Sequence, residues 1–362
     1  MLNLRKATET PLAKTSFQDR FNNVCIVMMS ALGDAIHVLP VANALKRAAP
    51  QTSITWVVQP GPYKLLNHHP AIDRFVVFRR QSGLKIINDY RETWRELRQD
   101  RFDLVLNLQV YFKAGLLTAG IRADMKLGFD RARARDLNWL MTSHRIPAHE
   151  PQHVQDQYFE FLDYLGVDPL PLEWNLSITE QERQTQRRFF KDIQRPVCAV
   201  VMGSSKPRKD WAIERYARLL EIIESDFGYQ PVLVGGPSAG EIEATLQVMH
   251  LTGANPINDV GAPLRQLVYV LDGAQIVVSP DTGPLHIARA LQTPVIGLYG
   301  YTNPKRVGPY RKYEDLVVDG YARYVGENYP ISIEYRSDGM ERITVDSVVE
   351  KFELALAKYV YP

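Results

Sequence analysis

Cysteine is scarce in this chain: the 362 residues contain only Cys25 and Cys198, each inside an apolar, strand-like run. Two cysteines in different halves exclude a disulfide framework and favour buried thiols in a reducing compartment. No apolar run approaches the roughly 20 residues that span a bilayer. Residues 1–22 are polar and lack the apolar core of a secretory signal. We therefore expect a cytoplasmic protein, with attachment to a membrane surface left open.

Several sequence signatures of metal and nucleotide sites are also missing. The chain contains no G-x-x-x-x-G-K-[ST] loop, no H-E-x-x-H, no C-x-x-C and no D-x-D pair. The neighbours His68 and His69 have no carboxylate or cysteine at ligand spacing. We therefore predict no metal site and no cofactor, so the protein itself must neutralise the charge of any phosphate that it binds.

Charge is distributed unevenly although the formal net charge is only +2. Residues 1–147 hold 22 lysines and arginines against 12 acids, which leaves the rest of the chain net acidic. The basic residues recur around predicted loops: Arg79, Arg80, Lys113, Arg122, Lys126, Arg131, Arg133 and Arg135. This half is expected to meet an anionic partner, while a merely solvated surface remains the alternative for any single residue. Nucleic acid is not expected, because no stripe of stacking aromatics accompanies the charge.

Short β-rich runs alternate with amphipathic helical stretches in both halves, which is typical of parallel sheets covered by helices. The predicted strands are Val24–Met29, Ile54–Val58, Phe75–Phe78, Leu104–Leu108, Val197–Met202, Pro231–Val234, Ile276–Val278 and Val295–Leu298. The predicted helices are Asp34–Ala48, Asp89–Arg98, Ala212–Ser225, Gly240–His250, Pro263–Leu271 and Val345–Tyr359. The fold class is therefore α/β with two similar halves.

The Pro-rich stretch Pro169-Leu170-Pro171-Leu172 separates these halves and is the natural linker. We predict a polar extension at 1–22, a first domain at 23–170, a linker at 171–195 and a second domain at 196–340. The remaining residues, 341–362, form a helix that is a candidate to dock on the first domain.

The segment from Ser279 to His286 (Ser-Pro-Asp-Thr-Gly-Pro-Leu-His) follows a short apolar strand and opens a helical stretch. The free N–H groups of a first helical turn favour a phosphate, and Gly283 allows close approach to the backbone. Asp281 and Thr282 could then meet sugar hydroxyls and a phosphate oxygen. The segment predicts a site for a nucleotide sugar or a similar diphosphate.

Two other interpretations of this segment need weighing. Asp-Thr-Gly is also the active-site triplet of aspartic proteases, but that all-β fold needs two triplets, and here the single triplet leads into a helix. A purely structural helix start is the remaining alternative.

Polar or glycine-containing turns follow three further predicted strands. Asp34, in Ser30-Ala31-Leu32-Gly33-Asp34, is either a helix cap or a general base at the sheet edge. Ser204 and Ser205, with Lys209 close behind, suit a diphosphate. Glu241, behind the glycines at 235 and 236, could hold a ribose hydroxyl pair. Convergence of the loops of the second half on one sheet edge is stronger evidence than any one loop.

With these residues in hand, the chain resembles glycosyltransferase family 9, the ADP-heptose:lipopolysaccharide heptosyltransferases, from about Asn23 onward. The resemblance is carried by residues 30–40, Lys209-Asp210-Trp211, Asp281–His286 and Tyr299–Pro304. It implies a GT-B architecture, in which two Rossmann-like domains face each other across a cleft, and no metal requirement. It implies ADP-heptose as donor and an anionic lipopolysaccharide core on lipid A as acceptor, at the cytoplasmic face of the inner membrane.

The resemblance also implies roles for individual residues. Asp34 would be the base of an inverting transfer, and Lys209 would act with it as a catalytic residue by offsetting diphosphate charge. Donor binding would fall to Ser204, Ser205, Glu241, Asp281, Thr282, Gly283 and His286. Acceptor binding would fall to Gly33, His37, Arg79, Arg80 and Lys113. Tyr301 and Pro280 depart from the family's usual residues, which leaves open a different donor, an epimerase, or a binding protein without activity.

Overall fold

The computed structural model describes residues 17–204 and 206–361, which form two compact units. The first unit extends to Glu150 and includes Val154–Ser177, whereas the second comprises Pro151–His153 and the residues from Ile178 onward. The division thus falls after Ser177, whereas the sequence analysis placed the end of the first domain at residue 170. The predicted extension at 1–22 lies largely outside the described residues.

The first unit is built on a six-stranded sheet in which every pairing is parallel. Its strands are β1 (Asn23–Val27), β2 (Ser53–Val58), β3 (Arg74–Val77), β4 (Phe102–Asn107), β5 (Ala123–Gly128) and β6 (His144–Arg145), in the order β3-β2-β1-β4-β5-β6. Its helices are α1 (Leu32–Ala48), α2 (Pro60–Leu66), α3 (Lys85–Leu97), α4 (Phe112–Gly120) and α5 (Val154–Leu165). The strand order runs outward from β1 in one direction through β2 to β3 and in the other direction from β4 to β6. The order of the parallel strands therefore reverses between β1 and β4.

The second unit repeats this design. Its strands are β7 (Val197–Val201), β8 (Gln230–Val234), β9 (Ile257–Asn258), β10 (Ile276–Pro280), β11 (Val295–Tyr299) and β12 (Val317–Asp319), all parallel in the order β12-β11-β10-β7-β8-β9. Its helices are α6 (Glu180–Phe190), α7 (Ile213–Ser225), α8 (Ala239–Leu251), α9 (Leu264–Gly273), α10 (Gly283–Ala290), α11 (Pro304–Val307), α12 (Gly339–Arg342) and α13 (Val345–Ala355). Here the reversal lies between β7 and β10.

The central strands are buried along almost their whole length. All five residues of β7 are buried, as are four of the five residues of β1. Continuous apolar runs of this kind are expected where helices cover both faces of a parallel sheet. Cys25 and Cys198 lie in these two strands, and burial raises the pKa of both thiols. The predicted α/β class and the buried thiols are confirmed.

Two expectations about the connections need correction. Residues 171–195 are not a plain linker, because α6 forms there and packs on α9. The last helix, α13, packs on α7 and against β11 and β12, all in the second unit. The sequence analysis had instead suggested that this helix docks on the first domain. The aromatic ring of Phe352 explains this placement, since its centroid lies 4.6 Å from that of Phe227 and 5.4 Å from that of Tyr229.

Helix α6 is tied to the second unit by an ion pair. The Glu182 carboxylate accepts hydrogen bonds from Arg265 Nε at 2.6 Å and Arg265 Nη2 at 2.7 Å, and from the Thr179 amide at 2.8 Å. Burial by itself raises the pKa of Glu182. The hydrogen bonds from Arg265 and Thr179 have the larger, opposite effect, so the pKa is lowered to about 2. The pair therefore stabilises the folded state above the ordinary pKa of 4.5, and this contribution is lost as the pH falls from 4.5 towards 2.

Glu182→Gln is therefore expected to lower the free energy of unfolding at pH 7 by about 1–3 kcal/mol. The difference from wild type should shrink at pH 3, as measured by urea denaturation monitored by circular dichroism. The control is Glu180→Gln on the same helix, because the ion pair of Glu180 with Arg187 is solvent-exposed at 3.5 Å and should contribute less than about 1 kcal/mol. Equal losses in both variants would contradict the assignment.

Candidate active site

The carboxylate of Asp281 is the centre of a cluster at the carboxyl edge of the second sheet. Asp281 directly follows β10, and the loop after β7 lies beside it because β7 and β10 are neighbours. Ligands of open α/β sheets bind at the carboxyl ends of the strands, at the point where the strand order reverses. The cluster therefore occupies the expected position for a ligand site in this unit.

Three side chains converge on Asp281. Lys209 Nζ donates to Asp281 Oδ2 at 2.6 Å and to the Asp281 carbonyl at 2.9 Å. Thr302 Oγ1 donates to the same Oδ2 at 2.6 Å, and His286 Nε2 lies 3.6 Å from Oδ1. These residues come from the loops after β7, β10 and β11 and from α10, so one carboxylate connects three strand ends.

Asp281 stays ionised in this setting although it is only 6% exposed. Burial alone would raise its pKa, but the nearby imidazole of His286 and the charge of Lys209 hold the pKa well below its ordinary value. An ionised carboxylate at this depth needs a paired cation, because an unpaired buried charge is costly. Lys209 is that cation, so its ammonium is held at the sheet edge rather than in bulk solvent.

Helix α10 begins beside this ion pair. Thr282 is its N-cap residue with extended backbone, and Gly283 and Pro284 occupy the first positions of the helix. The Thr282 side chain makes no capping hydrogen bond within the helix, and all three residues are only half-buried. The N–H groups of this first turn and the helix dipole favour an anion. The start of α10 is thus suited to a phosphate, as the sequence predicted.

The two residues that follow Lys209 anchor the Lys209-Asp210-Trp211 segment. Trp211 is buried, and its Nε1 donates to the Ile343 carbonyl at 2.9 Å. Asp210 Oδ1 accepts from Ser204 Oγ at 2.9 Å, which links the segment to the end of β7. Lys206 and Arg208 are exposed, as predicted. These two anchors hold Lys209 in reach of Asp281.

The glycine loop after β8 closes around Glu241. Glu241 Oε1 accepts from the Gly236 amide at 2.9 Å and Oε2 accepts from Ser238 Oγ at 2.6 Å. Gly203 adopts φ +108°, a conformation that favours glycine, and a Cβ there would lie 3.3 Å from Glu241 Cγ. Glu241 is therefore held next to the end of β7, and its charge helps to raise the pKa of Asp210 after burial does. The predicted convergence of the three loops is confirmed.

Asp34 lies in the first turn of α1, at the corresponding edge of the first sheet. Its Oδ2 accepts from the Ala31 amide at 3.0 Å, and the residue is half-buried. Helix capping, the alternative for Asp34, is therefore present in the structure. One carboxylate oxygen can cap while the group still accepts a proton, so this contact and a base function are compatible.

A polar network around Gln109 holds the Asp34 loop, and the sequence analysis missed it. Gln109 Oε1 accepts from the Met29 amide at 3.1 Å, and Gln109 Nε2 donates to the Ser30 carbonyl. Gln109 follows β4, the neighbour of β1, so its position at a strand end was the available signal. The glutamine thereby fixes the loop that presents Asp34.

Positive charge lies close to this carboxylate. Lys113 Nζ donates to Ser30 Oγ at 3.3 Å. Burial lowers the pKa of Lys113, the charge of Arg80 lowers it further, and the charge of Asp34 raises it. Lys113 therefore lies within electrostatic reach of two other predicted site residues, Asp34 and Arg80.

The other predicted residues fall in different places. Gly33 is in the first turn of α1, and Arg79 is exposed after β3. His37 is buried on α1, where its Nδ1 lies 3.1 Å from Gln155 Oε1 of α5 and its carbonyl accepts from Gln155 Nε2 at 2.8 Å. Ser205 lies outside the described residues.

Arg133, one of the basic loop residues, is committed to an internal ion pair. Its Nη1 and Nη2 donate to Glu160 at 2.8 and 2.6 Å. A bidentate pair with a buried carboxylate is a structural contact between the loop and α5. Arg133 therefore differs from the exposed Arg79 and Arg80, which face solvent.

Known proteins resemble the chain in sequence and in fold. Residues 90–323 match the pattern of glycosyltransferase family 9 (heptosyltransferase). The lipopolysaccharide core heptosyltransferase OpsX of Haemophilus influenzae is 33% identical over 302 residues, which cover 83% of this chain and 85% of that protein. The lipopolysaccharide heptosyltransferase 1 of Pseudomonas aeruginosa is 28% identical over 298 residues, 79% and 81% of the two chains.

Solved structures match over almost the whole chain. A family 9 glycosyltransferase from Veillonella parvula superposes with a TM-score of 0.79 at 23% identity, covering 95% of this chain and 99% of that one. The E. coli heptosyltransferase WaaC with ADP-2-deoxy-2-fluoro heptose gives a TM-score of 0.69 at 22% identity, covering 92% and 99%. These likenesses confirm the GT-B fold. With the family pattern spanning more than half of the chain, and the Haemophilus relative exceeding 30% identity over most of it, the protein belongs to glycosyltransferase family 9, the heptosyltransferases.

Proposed function

We propose that the protein transfers heptose from ADP-heptose to the inner core of lipopolysaccharide, either to a Kdo or to a heptose residue. The observation that carries this proposal is the Lys209–Asp281 ion pair beside the start of α10, in a chain whose relative OpsX is a lipopolysaccharide core heptosyltransferase. An anion site at a strand-to-helix turn, with a half-buried lysine beside it, suits the diphosphate of a nucleotide sugar.

On the donor side, the diphosphate lies at the start of α10. The Thr282 hydroxyl and the amides of the first turn donate to phosphate oxygens, and Lys209 offsets charge on the departing ADP. Asp281 orients Lys209 and accepts a hydrogen bond from a hydroxyl of the heptose, while Glu241 accepts hydrogen bonds from the ribose hydroxyls. Ser204, Ser205 and His286 complete the donor contacts, and no metal takes part.

On the acceptor side, Asp34 is the general base. It takes the proton of the acceptor hydroxyl as that oxygen attacks the anomeric carbon from the face opposite ADP. The bond from the anomeric carbon to the β-phosphate oxygen breaks, the electron pair leaves with ADP, and the configuration at carbon inverts. Lys113, Arg79 and Arg80 bind negative charge on the acceptor, and Gly33 and His37 shape the loop that positions Asp34.

The protein is proposed to act at the cytoplasmic face of the inner membrane, because a core acceptor on lipid A is anchored there. Within residues 17–204 and 206–361, no helix combines the length and apolar character that crossing a membrane requires. Contact with the bilayer would therefore be peripheral in this part of the chain.

The test is acceptor-dependent release of ADP from ADP-heptose with deacylated inner core, in buffer containing a metal chelator. We expect ADP release only with acceptor present, a product heavier by one heptose in mass spectrometry, and inverted anomeric configuration by NMR. Turnover of the donor without acceptor would instead indicate an epimerase. Binding of ADP-heptose without any turnover would indicate a binding protein, and failure to bind it would indicate a different donor.

A further inference from the structure

The segment between β3 and the second turn of α3 presents two large apolar side chains to solvent. Leu84 is 84% exposed and Ile87 is 46% exposed, whereas Ile86 between them packs against the core of the first unit. Leu84 and Ile87 are three residues apart at the start of a helix, so they share one face. A single exposed aliphatic side chain is ordinary, but Leu84 and Ile87 together on one face of a helix start form a small apolar patch, called here the apolar point.

The backbone holds these side chains outward. Gly83 adopts φ +63°, which turns the chain immediately before Leu84. The turn is anchored from behind by the buried Asp89, whose carboxylate accepts from the Gln81 amide at 2.5 Å and from Gln81 Nε2 at 2.9 Å. The apolar point is therefore part of a defined turn, since the chain that leads into it is fixed by hydrogen bonds.

Cations flank the apolar point along the chain. Arg79, Arg80 and Lys85 are all exposed, and residues 79–88 contain no acidic side chain. Exposed apolar side chains flanked by lysine and arginine suit the interface of an anionic bilayer, where the apolar groups enter the headgroup boundary and the cations meet lipid phosphates. A protein partner with a cavity for two aliphatic side chains would not require this uniform charge.

The helix that carries the patch contacts a proposed acceptor residue: the Tyr90 hydroxyl of α3 donates to the Lys113 carbonyl at 3.1 Å. Burial lowers the pKa of Lys113, and the charge of Arg80 lowers it further, so Arg80 lies within electrostatic reach of Lys113. We propose that residues 79–87, with Leu84 and Ile87 inserted, form a docking surface for an anionic lipid bilayer. This inference deepens the proposed function, on which it rests, by naming the surface through which a lipid-anchored acceptor is reached.

The first test is sedimentation of the whole protein with vesicles of phosphatidylethanolamine and phosphatidylglycerol, compared with phosphatidylcholine alone. Wild type should bind the anionic vesicles, with binding weakened by high salt. The double variant L84S/I87S should bind about 10-fold to 100-fold more weakly. The matched control is L246S/L251S on α8, since these two side chains are similarly exposed, at 54% and 53%, and should not matter.

A second test locates the inserted side chain directly. Because Cys25 and Cys198 are buried, Leu84→Cys can be labelled selectively with an environment-sensitive dye, and Leu246→Cys serves as control. Dye fluorescence should rise with anionic vesicles only at position 84. Absence of vesicle binding by wild type, an unchanged L84S/I87S, or an equal response at both dye positions would overturn the docking surface. Transfer to the deacylated acceptor should remain at wild-type rate in L84S/I87S, so the proposed function is decided independently.

Discussion

Asp34→Asn is expected to lower kcat by about 10²-fold to 10⁴-fold, with little change in the KM for ADP-heptose. Asparagine keeps an oxygen that accepts from the Ala31 amide, so the cap of α1 survives. It cannot take up the proton of the acceptor hydroxyl, so the loss falls on the chemical step. Acceptor-dependent ADP release under saturating donor measures the effect, and calorimetric Tm confirms that the fold is intact.

This substitution separates the two interpretations of Asp34. If the carboxylate only caps α1, Asp34→Asn keeps near wild-type activity, and Asp34→Ala loses roughly 1 kcal/mol of stability instead. If it is the base, both variants lose activity, while only Asp34→Ala also loses the cap. Near wild-type turnover in Asp34→Asn would therefore remove the base assignment.

Lys209→Met is expected to lower kcat/KM for the donor by about 10²-fold to 10³-fold, because the charge that offsets the departing ADP is gone. The same change removes the paired cation from the buried Asp281 carboxylate, which keeps Thr302 and His286 beside it, so the second unit should lose about 3 kcal/mol of stability. Steady-state kinetics and thermal unfolding measure the two effects. Arg208→Met, in the same loop but exposed, should change neither.

The double variant of Lys209→Met with Asp281→Asn separates stability from catalysis. Neutralising both partners removes the unpaired charge, so much of the lost stability should return. Activity should stay low, since neither the cation nor the carboxylate is restored. Recovery of activity in the double variant would show that Lys209 serves only to balance Asp281.

Sequence patterns predicted the strands well because the central strands are long apolar runs bounded by polar turns. β7 and β8 were predicted to within one residue at each end, and α1 and α7 differ by two residues or fewer. The edge strands β6, β9 and β12 and the inner strand β5 were missed, as were the helices α2, α4, α5, α6, α11 and α12. Edge strands of two residues, such as β6 and β9, carry too little periodic signal to detect.

The site was only partly predictable. Asp34, Lys209 and Asp281 stand at strand ends in recognisable turns, so local sequence was enough to select them. Gln109 and Thr302 were not selected, because their importance depends on which strands are neighbours in the sheet. Gln109 reaches the Asp34 loop only since β4 lies beside β1, and Thr302 reaches Asp281 only since β11 lies beside β10.

The sequence by itself determined the α/β class, the division into two halves, the turns that carry the polar residues and the membership of the family. These follow from local periodicity, turn chemistry and short motifs, which act over a few residues. Only the tertiary structure decided that Lys209 pairs with Asp281, that α13 packs in the second unit, and that Leu84 and Ile87 remain outside the core. Such pairings depend on strand order and on competition for buried surface between distant segments, which no local pattern records.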